Sequence, residues 1–273
     1  MNKVILITGA SSGIGKATAF ALIKAGHIVY GAARRTNQMQ DIAKAGGRIL
    51  KMDITNETQI ITGIDQIIQE NGRVDVLINN AGYGLFGAVE DISIADARRQ
   101  FEVNVFGLAR ITQLVLPYMR QQNAGKIINM SSMGGKIYTP MGAWYHASKH
   151  ALEGWSDCLR LELKQFNIDV VIIEPGLIAT EFSDVLQDLL QKTSEAGPYH
   201  KLATSVANST KETYGKKGAP SPPTDIADVM VKAVQISHPK TRYAAGKMAK
   251  LLLFMRKYFG DGLFDKMVMS AVK

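Results

Sequence analysis

The sequence predicts an α/β fold: a single domain on a doubly wound parallel sheet of about seven strands, with a C-terminal lid and helical extension. Three observations predict it. Short, nearly all-apolar runs alternate with longer segments of helical periodicity, as in a sheet covered on both faces. A glycine-rich turn joins the first such run to the first helical segment. No linker or repeat divides the 273 residues, a length that suits one large α/β domain.

In chain order, the predicted strands are VILIT (4–8), HIVYGA (27–32), RILKM (48–52), VDVLIN (74–79), GKIINMS (125–131), IDVVIIEP (168–175) and TRYAA (241–245). Helical periodicity covers 14–25, 57–70, 96–121, 144–166 and 225–236. Two segments break the alternation. Residues 177–223 read as a binding lid, polar and irregular from 191 and ending in GAPSPP. Residues 247–273 mix apolar and basic residues at helical spacing. They predict a C-terminal helix packed on a body spanning 1–246. Contact with a membrane surface is the less favoured reading.

Composition narrows the function. Hydrophobic residues make up 46%, an ordinary globular value. Cys158 is the single cysteine, so no intrachain disulfide forms and a reducing, cytoplasmic compartment is expected. KVILITG begins at Lys3, so no signal peptide is expected, and no apolar run reaches the ~18 residues of a membrane span. The net charge of +8 reads as a solubilising surface. Without zinc-ligand spacing, an arginine-rich tract or interleaved aromatics, neither a metal site nor nucleic-acid binding is expected.

The chemistry starts at TGASSGIG (8–15). Gly9, Gly13 and Gly15 allow a tight turn and close backbone approach to a pyrophosphate. The following helix N-terminus offers N–H donors and a positive dipole end. A phosphate-binding loop of the nucleotide-triphosphatase type would need Gly at 10 and Ser or Thr at 17. Both positions are alanine. After the second strand, Ala33 occupies the place of the acidic residue that holds the ribose hydroxyls of NAD, and Arg34 and Arg35 follow. An arginine binds a 2′-phosphate that a carboxylate would repel. NADP (as NADPH) is therefore expected over NAD, with Arg34 the stronger candidate. In YHASK, Tyr145 and Lys149 lie four residues apart, on one face of a helix. A nearby ammonium favours the phenolate and makes the tyrosine a usable acid/base.

In order along the chain, TGASSGIG, MDIT (52–55), NNAG (79–82), YHASK (145–149) and EPG (174–176) resemble the signatures of the short-chain dehydrogenase/reductase family, over about residues 3–245. The family has a Rossmann-type fold. The resemblance implies that Tyr145 exchanges a proton with the substrate oxygen. Lys149 lowers the tyrosine pKa and holds the nicotinamide ribose. Ser132, thirteen residues before Tyr145, orients the carbonyl or alcohol; its neighbour Ser131 is separated from it by that spacing alone. Asn104 anchors a water leading from Lys149. The cofactor set it implies comprises Gly9, Ser11, Ser12, Gly13, Ile14 and Gly15 in the turn, Arg34 and Arg35, and Asp53 and Ile54 near the adenine. Asn80, Ala81 and Gly82 line it, and Pro175, Gly176, Ile178 and Thr180 lie at the nicotinamide end.

The expected activity is NADP(H)-dependent interconversion of a hydrophobic ketone or aldehyde and its alcohol. A carrier-bound 3-ketoacyl reductase and a non-catalytic NADP-binding sensor or scaffold are the alternatives. Tyr83, Phe86, Met133, Thr139, Trp144, Phe182 and Leu186 are the candidate substrate contacts, mostly apolar. RYAAGKMAKLLLFMRKYF is similar to the C-terminal part of family members acting on steroids, retinoids and lipid ketones. Helix 96–121 is apolar on two faces, and the family pairs this helix and the next in homodimers or homotetramers.

Overall fold

The computed structural model describes residues 2–194, 197–215 and 220–272, and for 182–185, 187 and 191 the backbone alone. Seven strands form one sheet: β1 (Val4–Thr8), β2 (Ile28–Ala33), β3 (Arg48–Lys51), β4 (Val76–Asn79), β5 (Gly125–Met130), β6 (Ile168–Pro175) and β7 (Arg242–Ala245). Their order is β3-β2-β1-β4-β5-β6-β7, every pairing parallel. The helices are α1 (Gly13–Lys24), α2 (Gln40–Lys44), α3 (Glu57–Asn71), α4 (Ile94–Phe101), α5 (Leu108–Gln121), α6 (Ala143–Leu163), α7 (Phe182–Ser194), α8 (His200–Gly215), α9 (Pro223–Gln235), α10 (Ala249–Tyr258) and α11 (Asp261–Ser270).

Strand residues alternate between two cores. Leu6, Leu77 and Ile127 pack against Ile67 of α3, Ile111 and Val115 of α5 and Leu159 of α6. Ile5, Ile7, Ile78 and Ile128 point the other way, onto Leu22 of α1 and Ile226 and Met230 of α9. This double coverage explains why the strands read as unbroken apolar runs. A buried polar chain crosses the first core. Asn79 Nδ2 donates to Thr112 Oγ1 (3.1 Å) and Asn129 Oδ1 (2.9 Å), and Asn129 Nδ2 donates to Ser156 Oγ (2.9 Å). It links β4 and β5 to α5 and α6.

Three expectations need correction. The lid is not irregular from residue 191: α7 runs to Ser194 and α8 occupies 200–215. Serine, threonine and asparagine give α8 weak intrinsic propensity, but Ala203, Val206 and Ala207 bury one stripe against Leu186 and Leu190 of α7. Residues 195–196 and 216–219 of this segment lie outside the described residues. The predicted helix 96–121 begins at Ile94 and is broken by a π-turn over Glu102–Gly107. There a Cβ on Gly107 would lie 2.6 Å from the Ile54 carbonyl oxygen, so only glycine lets the helix approach that loop. The tail forms two short helices rather than one.

Beneath α6 lies a charged cluster. Arg242 of β7 donates to Glu153 Oε2 (3.1 and 3.0 Å) and Asp157 Oδ2 (2.6 Å) of α6, and lies 3.6 Å from Glu174 Oε1 of β6. Burial, then the neighbouring Glu153, pushes the Glu174 carboxyl from 4.5 up to about 7. Between those values the folded protein holds a proton that the unfolded chain releases, so this group's stabilising contribution is lost as pH rises from 4.5 to about 7. Glu174→Gln mimics the protonated form. The melting temperature of the variant minus that of the parent is expected to be near zero at pH 5 and to become positive by pH 8, as followed by circular dichroism across that range.

Candidate active site at the carboxyl ends of the strands

The strand order reverses its direction of growth between β1 and β4, and the crevice beyond such a switch point is where ligands bind in open α/β sheets. Thr8 and Asn80 stitch the two strand ends together. Asn80 Nδ2 donates to the carbonyls of Thr8 (3.0 Å) and Gly9 (3.2 Å), and Thr8 Oγ1 accepts from the amides of Asn80 and Ala81 (both 3.1 Å). A Cβ on Gly15 would collide with the Gly9 carbonyl and Asn80 Nδ2. Gly9 and Gly13 have φ of 68° and 53°, the left-handed region that glycine enters freely.

Helix α1 starts at Gly13 with no side-chain cap and no acid in its first turn. Its first amides are therefore open to an anion. This donor set fits a pyrophosphate. At the other end of the crevice, Arg34 and Arg35 are exposed where β2 ends, and Asp53 lies nearby. Burial pushes the Asp53 carboxyl up, but hydrogen bonds from Thr55 and the charge of Arg34 outweigh it and leave it below its ordinary value.

One cavity of about 1350 Å³ contains all of these groups and the predicted acid/base residues. It exceeds the ~300–1,000 Å³ typical of a small-molecule site. Gly9, Ser11, Ser12, Gly13, Ile14, Gly15, Arg34, Arg35, Asp53, Ile54, Asn80, Ala81, Gly82, Ser132, Tyr145, Lys149, Pro175, Gly176, Ile178 and Thr180 all line it. Asn104 does not; it sits behind Gly82, where a Cβ would lie 3.1 Å from Asn104 Oδ1 and 3.6 Å from Lys149 Nζ. The π-turn directs Asn104 inward. Its amide donates to the Tyr83 carbonyl (2.9 Å) and Ser148 Oγ (3.1 Å) and accepts from the Tyr83 amide (3.1 Å).

Tyr145 and Lys149 project from the first turns of α6, both buried. Ser132 Oγ accepts from the Gly134 amide (3.0 Å) and is hydrogen-bonded to Tyr145. Ser131 is different: its buried hydroxyl lies toward Gly135 and Glu153 and finds no partner among the described residues. Burial pushes the Tyr145 phenol up, and the Ser132 hydrogen bond pulls against it. Burial lowers the Lys149 ammonium to about 8, with Glu153 opposing. Lys149 Nζ donates to the Met130 carbonyl (2.7 Å).

Beyond Tyr145 the cavity becomes an apolar chamber. Phe86, Met133, Thr139 and Leu186 line it as expected, joined by Leu189, Val206, Leu252, Phe264 and Met267; Tyr83 lines the same cavity nearer to Arg34 and Arg99. Trp144 does not line it. Its ring packs edge-on against Phe101 at 6.5 Å, in a small cluster with Leu85, Ile92 and Ala97. The Phe182 side chain lies outside the described residues.

Sequence reasoning missed three contributors. His146 accepts from the Thr139 amide at Nε2 (3.1 Å) and donates from Nδ1 to the Gly134 carbonyl (2.9 Å), locking the loop between Ser132 and α6. Burial lowers its pKa and keeps it neutral. Ser148 carries Asn104. Both stand inside YHASK, where their neighbours drew attention instead. Tyr214 of α8 also faces the chamber, its phenol pushed up to about 12 by burial and then by Tyr145; no local motif marks it.

Known proteins share this fold. A family model for short chain dehydrogenases matches residues 3–189. The 3-ketodihydrosphingosine reductase of Bacteroides thetaiotaomicron is 38% identical over 271 residues, 99% of this chain and 97% of that protein. A short-chain dehydrogenase from Streptomyces avermitilis superposes with a TM-score of 0.80 at 31% identity, covering 99% of this chain and 94% of that one. The closed form of a serine dehydrogenase complexed with NADP+ does so with a TM-score of 0.77 at 26% identity, covering 90% and 95%. With its switch-point cradle and buried Tyr145–Lys149 face, the chain belongs to the short-chain dehydrogenase/reductase family and is an oxidoreductase acting on CH–OH groups.

Proposed function

We propose that this enzyme reduces a long-chain, hydrophobic ketone with NADPH, Tyr145 supplying the proton. The observation that carries the reading is the position of Tyr145 and Ser132 where the dinucleotide cradle opens into the apolar chamber. When bound, the nicotinamide supplies the hydride. The Ser132 hydroxyl holds the substrate oxygen beside the phenol. Tyr145, kept protonated at neutral pH by burial, passes its proton to that oxygen as negative charge develops on it. This protonation state suits reduction. The Lys149 ammonium, still largely charged near pH 7 with a pKa of about 8, then stabilises the phenolate left behind.

The chamber also bears a polar strip. Thr210, Thr213 and Tyr214 line it from one face of α8. A ketone carrying a hydroxyl or similar polar group near the carbonyl would meet those hydroxyls, with its chain along Leu252, Phe264 and Met267. The name of the Bacteroides relative, a 3-ketodihydrosphingosine reductase, supports a lipid ketone of this kind. Arg34 beside Ala33 supports NADP, the cofactor complexed with the serine dehydrogenase.

NADPH oxidation followed by absorbance, against long-chain 3-ketones with and without an adjacent polar substituent, is expected to show turnover; none with any ketone would refute the reading. Tyr145→Phe is expected to lower kcat by about 10²–10⁴-fold while fluorescence titration shows NADPH binding intact. Arg34→Ala is expected to cut kcat/KM with NADPH by about 10–100-fold, the worth of a charge-assisted hydrogen bond, and to leave that with NADH unchanged. Tyr214→Phe is expected to raise KM several-fold for the polar-substituted ketone only.

A further inference from the structure

The last two helices present two different faces. Inward, Leu252, Phe264, Met267, Val268 and Ala271 line the substrate chamber. Outward, Leu251 (52% exposed), Phe254 (55%), Tyr258 (62%), Phe259 (39%), Leu263 (54%) and Met269 (46%) meet solvent. These are six of the eleven large apolar side chains that are exposed among the described residues, gathered on about a twelfth of the chain. Phe254 meets Tyr258 at a tilt with ring centroids 4.7 Å apart and Phe259 edge-on at 6.5 Å, so an aromatic cluster stands outside the core. A concentrated patch of this kind marks an interaction surface.

The charge around the patch identifies its partner. Residues 247–273 hold six lysines and arginines against two aspartates, half of the chain's net +8. Both aspartates are engaged: Asp261 pairs with Arg256 (2.8 Å) and Asp265 accepts from Tyr138 (2.8 Å). Arg256 also lies over the rings of Tyr138 and Phe264 (5.2 and 5.8 Å), pinning the helix pair to the body. Lys247, Lys250, Lys257 and Lys266 are left exposed around the apolar cluster. Two copies meeting through this face would oppose these lysines to one another. An anionic lipid surface complements both the charge and the apolar cluster. No helix among the described residues is long and apolar enough to cross a membrane, so the contact is with the surface.

We propose that α10 and α11 dock the protein on an anionic bilayer through Leu251, Phe254, Tyr258 and Leu263, ringed by Lys247, Lys250 and Lys257. The helix pair then stands between the lipid surface and the substrate chamber. The docking itself does not depend on which ketone is reduced.

Flotation of the full chain with vesicles tests it. Recovery with phosphatidylcholine containing phosphatidylglycerol is expected to exceed that with phosphatidylcholine alone at least tenfold, and to fall in 0.5 M salt. Leu251→Ser with Phe254→Ser, and separately Lys250→Glu with Lys257→Glu, are each expected to abolish recovery while melting temperature and NADPH binding stay at the parental values. Absence of the parent from anionic vesicles would overturn the proposal, as would flotation that survives both variants. A dimer in light scattering that Leu251→Ser with Phe254→Ser converts to monomer would assign the face to a second copy instead.

Discussion

The close approach of the first strand–helix turn to the end of β4 governs the geometry of the site. Gly15 packs against the Gly9 carbonyl and Asn80 at a separation no side chain tolerates, and Asn80 returns two hydrogen bonds to Thr8 and Gly9. That stitch consumes the polar groups of the β1 and β4 ends internally. What remains unsatisfied is the uncapped N-terminus of α1, directed at the crevice. The same stitch places Ala81 and Gly82 against the catalytic side. With no side chain of its own, Gly82 lets Asn104 and Lys149 approach one point.

Burial dominates the electrostatics of Tyr145 and Lys149. It raises the Tyr145 phenol and lowers the Lys149 ammonium, so each favours its neutral form. The protein opposes this with short, fixed contacts: Ser132 on the phenol, the Met130 carbonyl on the ammonium, and Glu153 one turn further along α6. Glu153 is itself held by Arg242 of the edge strand. A line of charge therefore runs from β7 to Lys149. Arg242 lies between the two carboxyls, and the raised pKa of Glu174 lets it hold a proton beside Glu153.

The strands were legible in the sequence to within two residues because burial on both faces makes most positions of the central strands apolar. The placement of the glycine turn and of Tyr145 and Lys149 on one face of α6 was legible because each depends on residues at local spacing. Contributions that depend on distant packing were not. The buried residues of α8 are only Ala203, Val206 and Ala207, with Leu202 packed beside them, and nothing local shows that α7 waits to cover them. Trp144 stands next to Tyr145 in sequence, yet one residue along a helix is about 100° around it, which turns the indole away to Phe101. The π-turn at Asn104 is set by contact between Gly107 and Ile54, residues more than fifty apart.

The tail shows how one composition can satisfy two readings. As a sequence, 247–273 offered a packing helix or a membrane-surface helix, and amphipathicity alone does not choose between them, since both need an apolar stripe. Folding the segment into two short helices gives it apolar area on both sides. Ala249 and Phe264 are fully buried while Leu251 and Leu263, two and one residues away, are more than half exposed. Packing on the body uses the first set and cannot use the second. The Arg256 stack between Tyr138 and Phe264 holds the pair in that orientation, so the outer apolar face is held rigidly outward. A segment selected only to close the chamber would gain nothing by carrying Phe254 and Tyr258 into water, where their hydrophobic surface contributes no folding energy.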